Sequence, residues 1–140
     1  MEKQNAVIID LDNTLTNAHW RSHLAQSKEW DEFYNSCDGD TVNQSIAEIL
    51  LAYKAKGVEI HLYTGRIEST REKTISWMNR HNLPFDILKM RQVGNYESDF
   101  ILKEKMLEID KYNYLYAYDD SQRNIDMFLK HDIPSTLIQI

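Results

Sequence analysis

The chain has 140 residues and a net charge of −6, a length that suits one domain with one core. Apolar residues make up 42% and charged residues 27%, the balance of an ordinary globular protein. No apolar run approaches the roughly 20 residues of a membrane span, and the short, acidic start "MEKQNAVIIDLDN" does not read as a signal peptide.

Residues 6–11 read as a buried strand, an apolar run (Val7, Ile8, Ile9, Leu11) around Asp10 that ends in polar residues. A carboxylate there is costly to bury unless something pairs with it, and Asp12 adds repulsion two residues later. Residues 17–40 read as an excursion of short helix and loop carrying Trp20, Trp30, Phe33 and Tyr34. His19 and His23 stand i, i+4 in it and read as a surface pair. The single cysteine, Cys37, excludes an internal disulfide, reads as structural, and points to a reducing cytoplasm.

Residues 41–56 read as a helix with a capping box at Thr41 and Gln44, an apolar stripe of Ile46, Ile49, Leu50 and Tyr53, and a stop at Gly57. A strand follows at 58–64 ("VEIHLYT"), then a helix at 67–81 that ends at Asn82–Pro84. A short strand at 85–90, a helix at 98–109, a strand at 114–120 ending in Asp119 and Asp120, a helix at 121–131 and a strand at 135–140 complete the chain. The acidic net charge speaks against broad non-specific nucleic-acid binding. Residues 61–91 nevertheless hold six basic and three acidic side chains, which suits either a local positive face or a solvated helix surface.

The order βαβαβαβαβ predicts an α/β fold with a parallel sheet covered on both faces. Ligands then sit beyond the carboxyl ends of the strands. Asp10, Asp12, Thr64, Asp119 and Asp120 all fall at such ends and share one crevice if the fourth strand lies beside the first. Four carboxylates gathered there require a cation. Oxygen-only ligands suit Mg²⁺, and no Cys or His cluster has zinc spacing.

These residues resemble the motifs of the haloacid dehalogenase (HAD) superfamily. "DLDNTLT" resembles Asp-x-Asp-x-Thr, "YTGR" the strand ending in Thr or Ser, Lys103 the third motif, and "YDDSQRN" with Asp119, Asp120 and Asn124 the fourth. The resemblance implies a Rossmann-like three-layer core with a five-stranded parallel sheet, over residues 1–140, with 17–40 as a minimal flap. It implies an aspartyl-phosphate mechanism: Asp10 as nucleophile and Asp12 as general acid, then base. Two-residue spacing on an extended end puts both on one side while Leu11 points into the core. Asn13 stands where many relatives have Gly, and Asn tolerates a positive φ there. Thr64 and Lys103 would contact the phosphate or balance its charge. Mg²⁺ would be held by Asp10, the backbone carbonyl of Asp12, and Asp119 or Asp120.

The second half is similar to the 3′-phosphatase domain of phage-type polynucleotide kinase. "MRQVGNYESDFILKEKML" matches its Gln-Arg-x-x-Gly element and following helix, and "CDGDTVN" its approach to the first helix. This makes Arg66, Arg91, Gly65 and Asn13 candidate substrate-binding residues. Ser121 departs from the Arg usual after the Asp-Asp pair. No Gly-x-x-x-x-Gly-Lys-Ser/Thr stretch is present, so no kinase half is expected. The implied activity is Mg²⁺-dependent removal of a phosphate from a nucleic-acid 3′ end or nucleotide, with a small metabolite or 5′-nucleotide as the alternative substrate. The flap aromatics would either stack on a base or pin the flap to the body. Two readings of other classes are a phospho-aspartate receiver and a non-catalytic phosphate-binding relative. The receiver would need an Asp where the middle strand ends in "LKMR".

Overall fold

The computed structural model describes residues 2–140; Met1 lies outside the described residues. Strands β1 (Gln4–Ile9), β4 (Glu59–Ile67), β5 (Ile87–Arg91), β6 (Tyr112–Asp119) and β7 (Ser135–Leu137) form one parallel sheet in the order β5-β4-β1-β6-β7. The first strand is therefore central, and the chain winds outward from it on both sides. β6 does lie beside β1, which is the condition the shared crevice required.

Alternation along β1 explains the layers. Val7, Ile9 and Leu11 face one way, into a core with Ile46, Leu50, Trp77 and Met78. Ala6 and Ile8 face the other way, into a core with Leu102, Met106, Met127 and Phe128. Helices α3 (Gln44–Ala55) and α4 (Arg71–Arg80) supply the first set, and α5 (Asp99–Met106) and α6 (Gln122–Lys130) the second. A strand buried on both faces needs apolar residues at consecutive positions, which is why β1 reads as a continuous run.

Residues 16–42 form a side structure closed at its neck. β2 (Thr16–Asn17) pairs antiparallel with β3 (Thr41–Val42). Between them lie a 3-10 turn at His19–Arg21, α1 (Ser22–Gln26), α2 (Trp30–Asn35) and a second 3-10 turn at Cys37–Gly39. This neck overturns the expected capping box. Thr41 is taken into the hairpin, and α3 starts at Gln44 with no side-chain cap bond from Asn43. The Asn43 side chain instead donates to the Thr14 carbonyl at 2.9 Å.

β4 also runs past its expected end at Thr64. Tyr63 pairs with Lys89 and Ile67 with Arg91, so β4 holds two more residues than β5 between the same pairings. The extra length makes a bulge over Thr64–Arg66, a device that re-aims side chains at a strand end. The helix expected from residue 67 begins at Arg71, after a 3-10 turn at Glu68–Thr70. The helix expected over 98–109 is shorter, and the last strand stops at Leu137. No helix among the described residues is long and apolar enough to cross a membrane.

Candidate active site

The site begins where β1 ends. Ile9 stands opposite Leu62 of β4 and Tyr118 of β6, so Asp10 emerges level with Asp119. The Asp10 amide still donates to the Tyr118 carbonyl at 3.0 Å, and the chain then turns sharply through Leu11–Thr16. Asn13 has φ +60°, the left-handed conformation that Asn adopts more readily than most residues. Its side-chain oxygen accepts the Ala18 amide at 2.9 Å, so Asn13 also shapes the loop.

Both Asp10 oxygens are oriented. Lys103 Nζ donates to Oδ1 at 2.8 Å and Thr14 Oγ1 to Oδ2 at 3.0 Å. Lys103 is almost fully buried on α5 and also donates to Asp119 Oδ2 at 2.7 Å. Burial works against its charge, but Asp10 and Asp119 outweigh burial and raise its pKa. Asp119 is held further by the Asn124 amide group at 3.1 Å to each oxygen and by the Ser121 amide at 3.0 Å.

Asp10, Asp119 and Asp120 bring one carboxylate oxygen each within 4.8 Å of one another. Burial and the Asp119 charge hold Asp10 well above the usual carboxylate range, with Lys103 opposing. Desolvation at the cleft mouth pushes Asp120 up to about 6, with Asp119 adding to the effect. Fully ionised, the three carboxylates would set three negative charges against one ammonium, and this crowding helps raise Asp10 and Asp120. An all-oxygen set with that excess fits a divalent hard cation. Asn124 Oδ1, buried beside Asp119, has no hydrogen-bond partner and offers a further oxygen to the same locality.

Asp12 is not in this cluster. Its Oδ1 accepts from Arg66 Nη2 at 2.8 Å, Arg66 Nε at 3.0 Å and Arg21 Nη2 at 2.7 Å. Burial raises its pKa, but the two guanidiniums outweigh burial and lower it. The Asp12 carboxylate, expected from sequence among the metal ligands, is thus held by arginines outside the three-carboxylate cluster. The same two arginines converge on Asp40, which accepts from Thr16, Trp20, Arg21 Nε, Arg21 Nη2 and Arg66 at 2.8–3.1 Å. Arg21 and Asp40 were not singled out from sequence. Asp40 lies in "CDGDTVN", while nothing around Arg21 marks it, because its partners stand 9 and 19 residues away.

Thr64 is buried at the β4 bulge, with Oγ1 accepting the Arg66 amide at 3.1 Å. Gly65 follows where a Cβ would lie 2.7 Å from Asp99 Oδ1, so a side chain there would displace that carboxylate from its pairing with Arg91. Arg91 donates to the Gly65, Asn95 and Glu97 carbonyls and pairs with Asp99. Arg66 and Arg91, expected to bind substrate, thus spend their donors inside the protein. Arg71 and Lys89 are paired with Glu68 and Glu108, whereas Lys73 and Arg80 stay exposed with only a backbone carbonyl each, so most of the basic side chains of 61–91 are neutralised by acidic partners. The flap aromatics divide. Trp20 packs on Gly39 and donates to Asp40, Phe33 lies under Arg21, and Trp30 packs on Phe33 and Tyr34; both tryptophans keep about half their surface exposed. Cys37 is fully buried.

A family model described as the polynucleotide kinase PNKP phosphatase domain matches residues 4–139. No curated protein gives a match. Among solved structures, a chain of the Pnkp1/Rnl/Hen1 complex is 28% identical with a TM-score of 0.85, covering 99% of this chain and 47% of that one. A chain of the Pnkp1/Rnl/Hen1 RNA repair complex is 26% identical with a TM-score of 0.86, covering 99% and 45%. The chain therefore spans about half the length of these two proteins. The class C acid phosphatase from Bacillus anthracis, solved with tungstate bound, shares the fold at 17% identity and a TM-score of 0.71, covering 99% and 68%. A family match over nearly the whole chain, on a sheet that brings four motif positions to one crevice, identifies this chain as a member of the polynucleotide kinase phosphatase-domain family, a HAD-type phosphatase.

Proposed function

We propose that the chain hydrolyses phosphomonoesters with Mg²⁺ through an aspartyl-phosphate on Asp10, acting on the 3′-phosphate of a nucleic-acid end or nucleotide. The observation that carries the reading is the double grip of Lys103 and Thr14 on Asp10 beside the Asp119 and Asp120 carboxylates. Asp10, Asp119 and Asp120 would hold Mg²⁺ with the Asp12 carbonyl. When bound, the ion neutralises phosphate charge that otherwise repels an anionic nucleophile.

An Asp10 oxygen bonds to phosphorus as the ester P–O bond breaks, and Asp12 gives its proton to the departing alcohol. Asp12 is ionised when paired with its arginines alone. An incoming phosphate anion counters those arginines and favours the protonated form that the step needs. Water then attacks phosphorus, the bond to Asp10 breaks, and Asp12 takes the water proton. Lys103 stays charged throughout, and the Thr64 hydroxyl donates to a phosphoryl oxygen.

The nucleic-acid part of the reading rests on the family match and on the similarity to chains from an RNA repair complex. Pairing of Arg66, Arg71, Lys89 and Arg91 with carboxylates favours a short substrate as the second reading, a mononucleotide or small metabolite. Purified chain with Mg²⁺ is assayed on a 3′-phosphorylated oligonucleotide, a 3′-mononucleotide and a 5′-mononucleotide. Preference for the first supports the reading; equal, feeble rates on all three overturn the nucleic-acid-end assignment. Asp10→Asn is expected to lose at least about 10⁴-fold in turnover with an unchanged circular dichroism spectrum. Undiminished turnover in that variant refutes the mechanism.

A further inference from the structure

Beside the catalytic crevice lies an open groove of about 510 Å³ that the phosphatase chemistry does not use. Trp30 and Tyr34 of α2 line it, together with Val93 and Tyr96 from the β5–α5 loop. Ile67 and Arg91, paired across β4 and β5, complete it. Three of these apolar side chains stand in water: Tyr96 is 94% exposed, Val93 70% and Trp30 46%. Clustered exposed apolar surface of this kind marks a binding site more often than a solvated face.

The lining is set in place without a ligand. Trp30 stacks on Tyr34 at 6.2 Å and meets Phe33 edge-on at 5.8 Å, which fixes its ring. The loop opposite turns at Gly94 (φ +88°) and is tied down by Arg91 through the Asn95 and Glu97 carbonyls. Arg91 also bonds the carbonyl of Gly65, next to Thr64, which ties the groove to the strand end that carries Thr64.

Charge decides what fits. The one cation in the lining, Arg91, is occupied by protein acceptors, and the other charged members are Asp31 and Glu97. A phosphate backbone is repelled there, whereas a flat, uncharged heteroaromatic ring gains by stacking.

We propose that this groove is a base-binding subsite, in which a nucleobase from the 3′-terminal nucleotides of a single strand stacks against Trp30 and Tyr96. The proposal rests on the nucleic-acid-end reading given under Proposed function. It makes Trp30 and Tyr96 the residues that set preference for a nucleotide-bearing substrate over a bare phosphomonoester.

The test compares kcat/KM on a 3′-phosphorylated single-stranded oligonucleotide with kcat/KM on p-nitrophenyl phosphate, which has no base. Trp30→Ala and Tyr96→Ala are expected to lower that ratio between about 5-fold and about 150-fold, the worth of one stacked base, mainly through KM. Trp30→Phe is expected to keep most of the ratio. Tyr96 is so exposed that its truncation leaves folding untouched, which guards against a trivial loss at Trp30. On an oligonucleotide whose two 3′-terminal nucleosides are abasic, the loss is expected to shrink. Ratios within about twofold of wild type, or equal losses on the abasic strand, overturn the subsite. A wild-type chain that hydrolyses p-nitrophenyl phosphate but no oligonucleotide overturns the nucleic-acid-end reading, and the subsite falls with it.

Discussion

Arg21→Met tests how the small side structure supports the catalytic carboxylate. Arg21 is fully buried and donates to Asp40 twice at 2.8 Å, to Asp12 at 2.7 Å and to the Phe33 carbonyl at 3.0 Å. Methionine fills much of the same space but leaves Asp40 buried with one cation, Arg66, and leaves Asp12 with half its guanidinium partners. Breaking a buried pair by removing one member costs about 3–5 kcal/mol. For a chain of this size that lowers the melting temperature by roughly 10 °C or more. Because the network sits in the side structure, local undocking can cap the loss. Hydrogen exchange then reports fast exchange confined to residues 17–42. Adding Asp40→Leu removes the stranded charge, so the double variant Arg21→Met/Asp40→Leu is expected to recover several degrees. It is not expected to recover kcat, because Asp12 still lacks Arg21. Urea or thermal melting with phosphatase assays on both variants decides the matter. A single variant that melts within about 2 °C of wild type, or a double variant with restored kcat, refutes the reasoning.

Two further outcomes follow from crowded or stranded groups. Asp120→Asn removes one of three clustered carboxylates, so the ion-free protein is expected to melt higher while the rise on adding Mg²⁺ shrinks. A lower ion-free melting point contradicts the repulsion inferred there. His61 is fully buried with Nδ1 unpartnered, and burial lowers its pKa despite the Glu59 hydrogen bond. The unfolded chain therefore binds a proton that the fold resists, and stability from this site is lost as pH falls below about 6.5. His61→Phe is expected to flatten the fall in melting temperature between pH 7 and pH 5; an unchanged slope refutes that.

What could be read in advance was what depends on neighbours in sequence. Apolar residues at consecutive positions marked β1, and strand ends marked Asp10, Thr64 and Asp119, because a parallel sheet sends its carboxyl ends to one edge. Long-range pairing was invisible. Thr41-x-x-Gln44 has the local form of a capping box, but Thr41 is claimed by Thr16–Asn17, about 25 residues earlier, and tertiary pairing overrides the local preference. Arg21 and Asp40 met only once the hairpin neck closed. Trp20 and Trp30 look alike in a sequence, yet the Trp20 N–H finds Asp40 while Trp30 packs on Phe33 and Tyr34 at the edge of the groove. The β4 bulge was hidden because nothing in "YTGR" signals two extra residues against β5.

Arg66 bonds both Asp12 and Asp40, and this sets how a substrate arrives. Lifting the 17–40 segment would break the two charge-assisted ties that cross to the body, Arg21 to Asp12 and Arg66 to Asp40, so these buried bonds resist its opening. The groove where Trp30 and Tyr96 stand is open in this arrangement. With those ties kept during turnover, the resting width of that groove, and not a closing step, would set the size of substrate admitted.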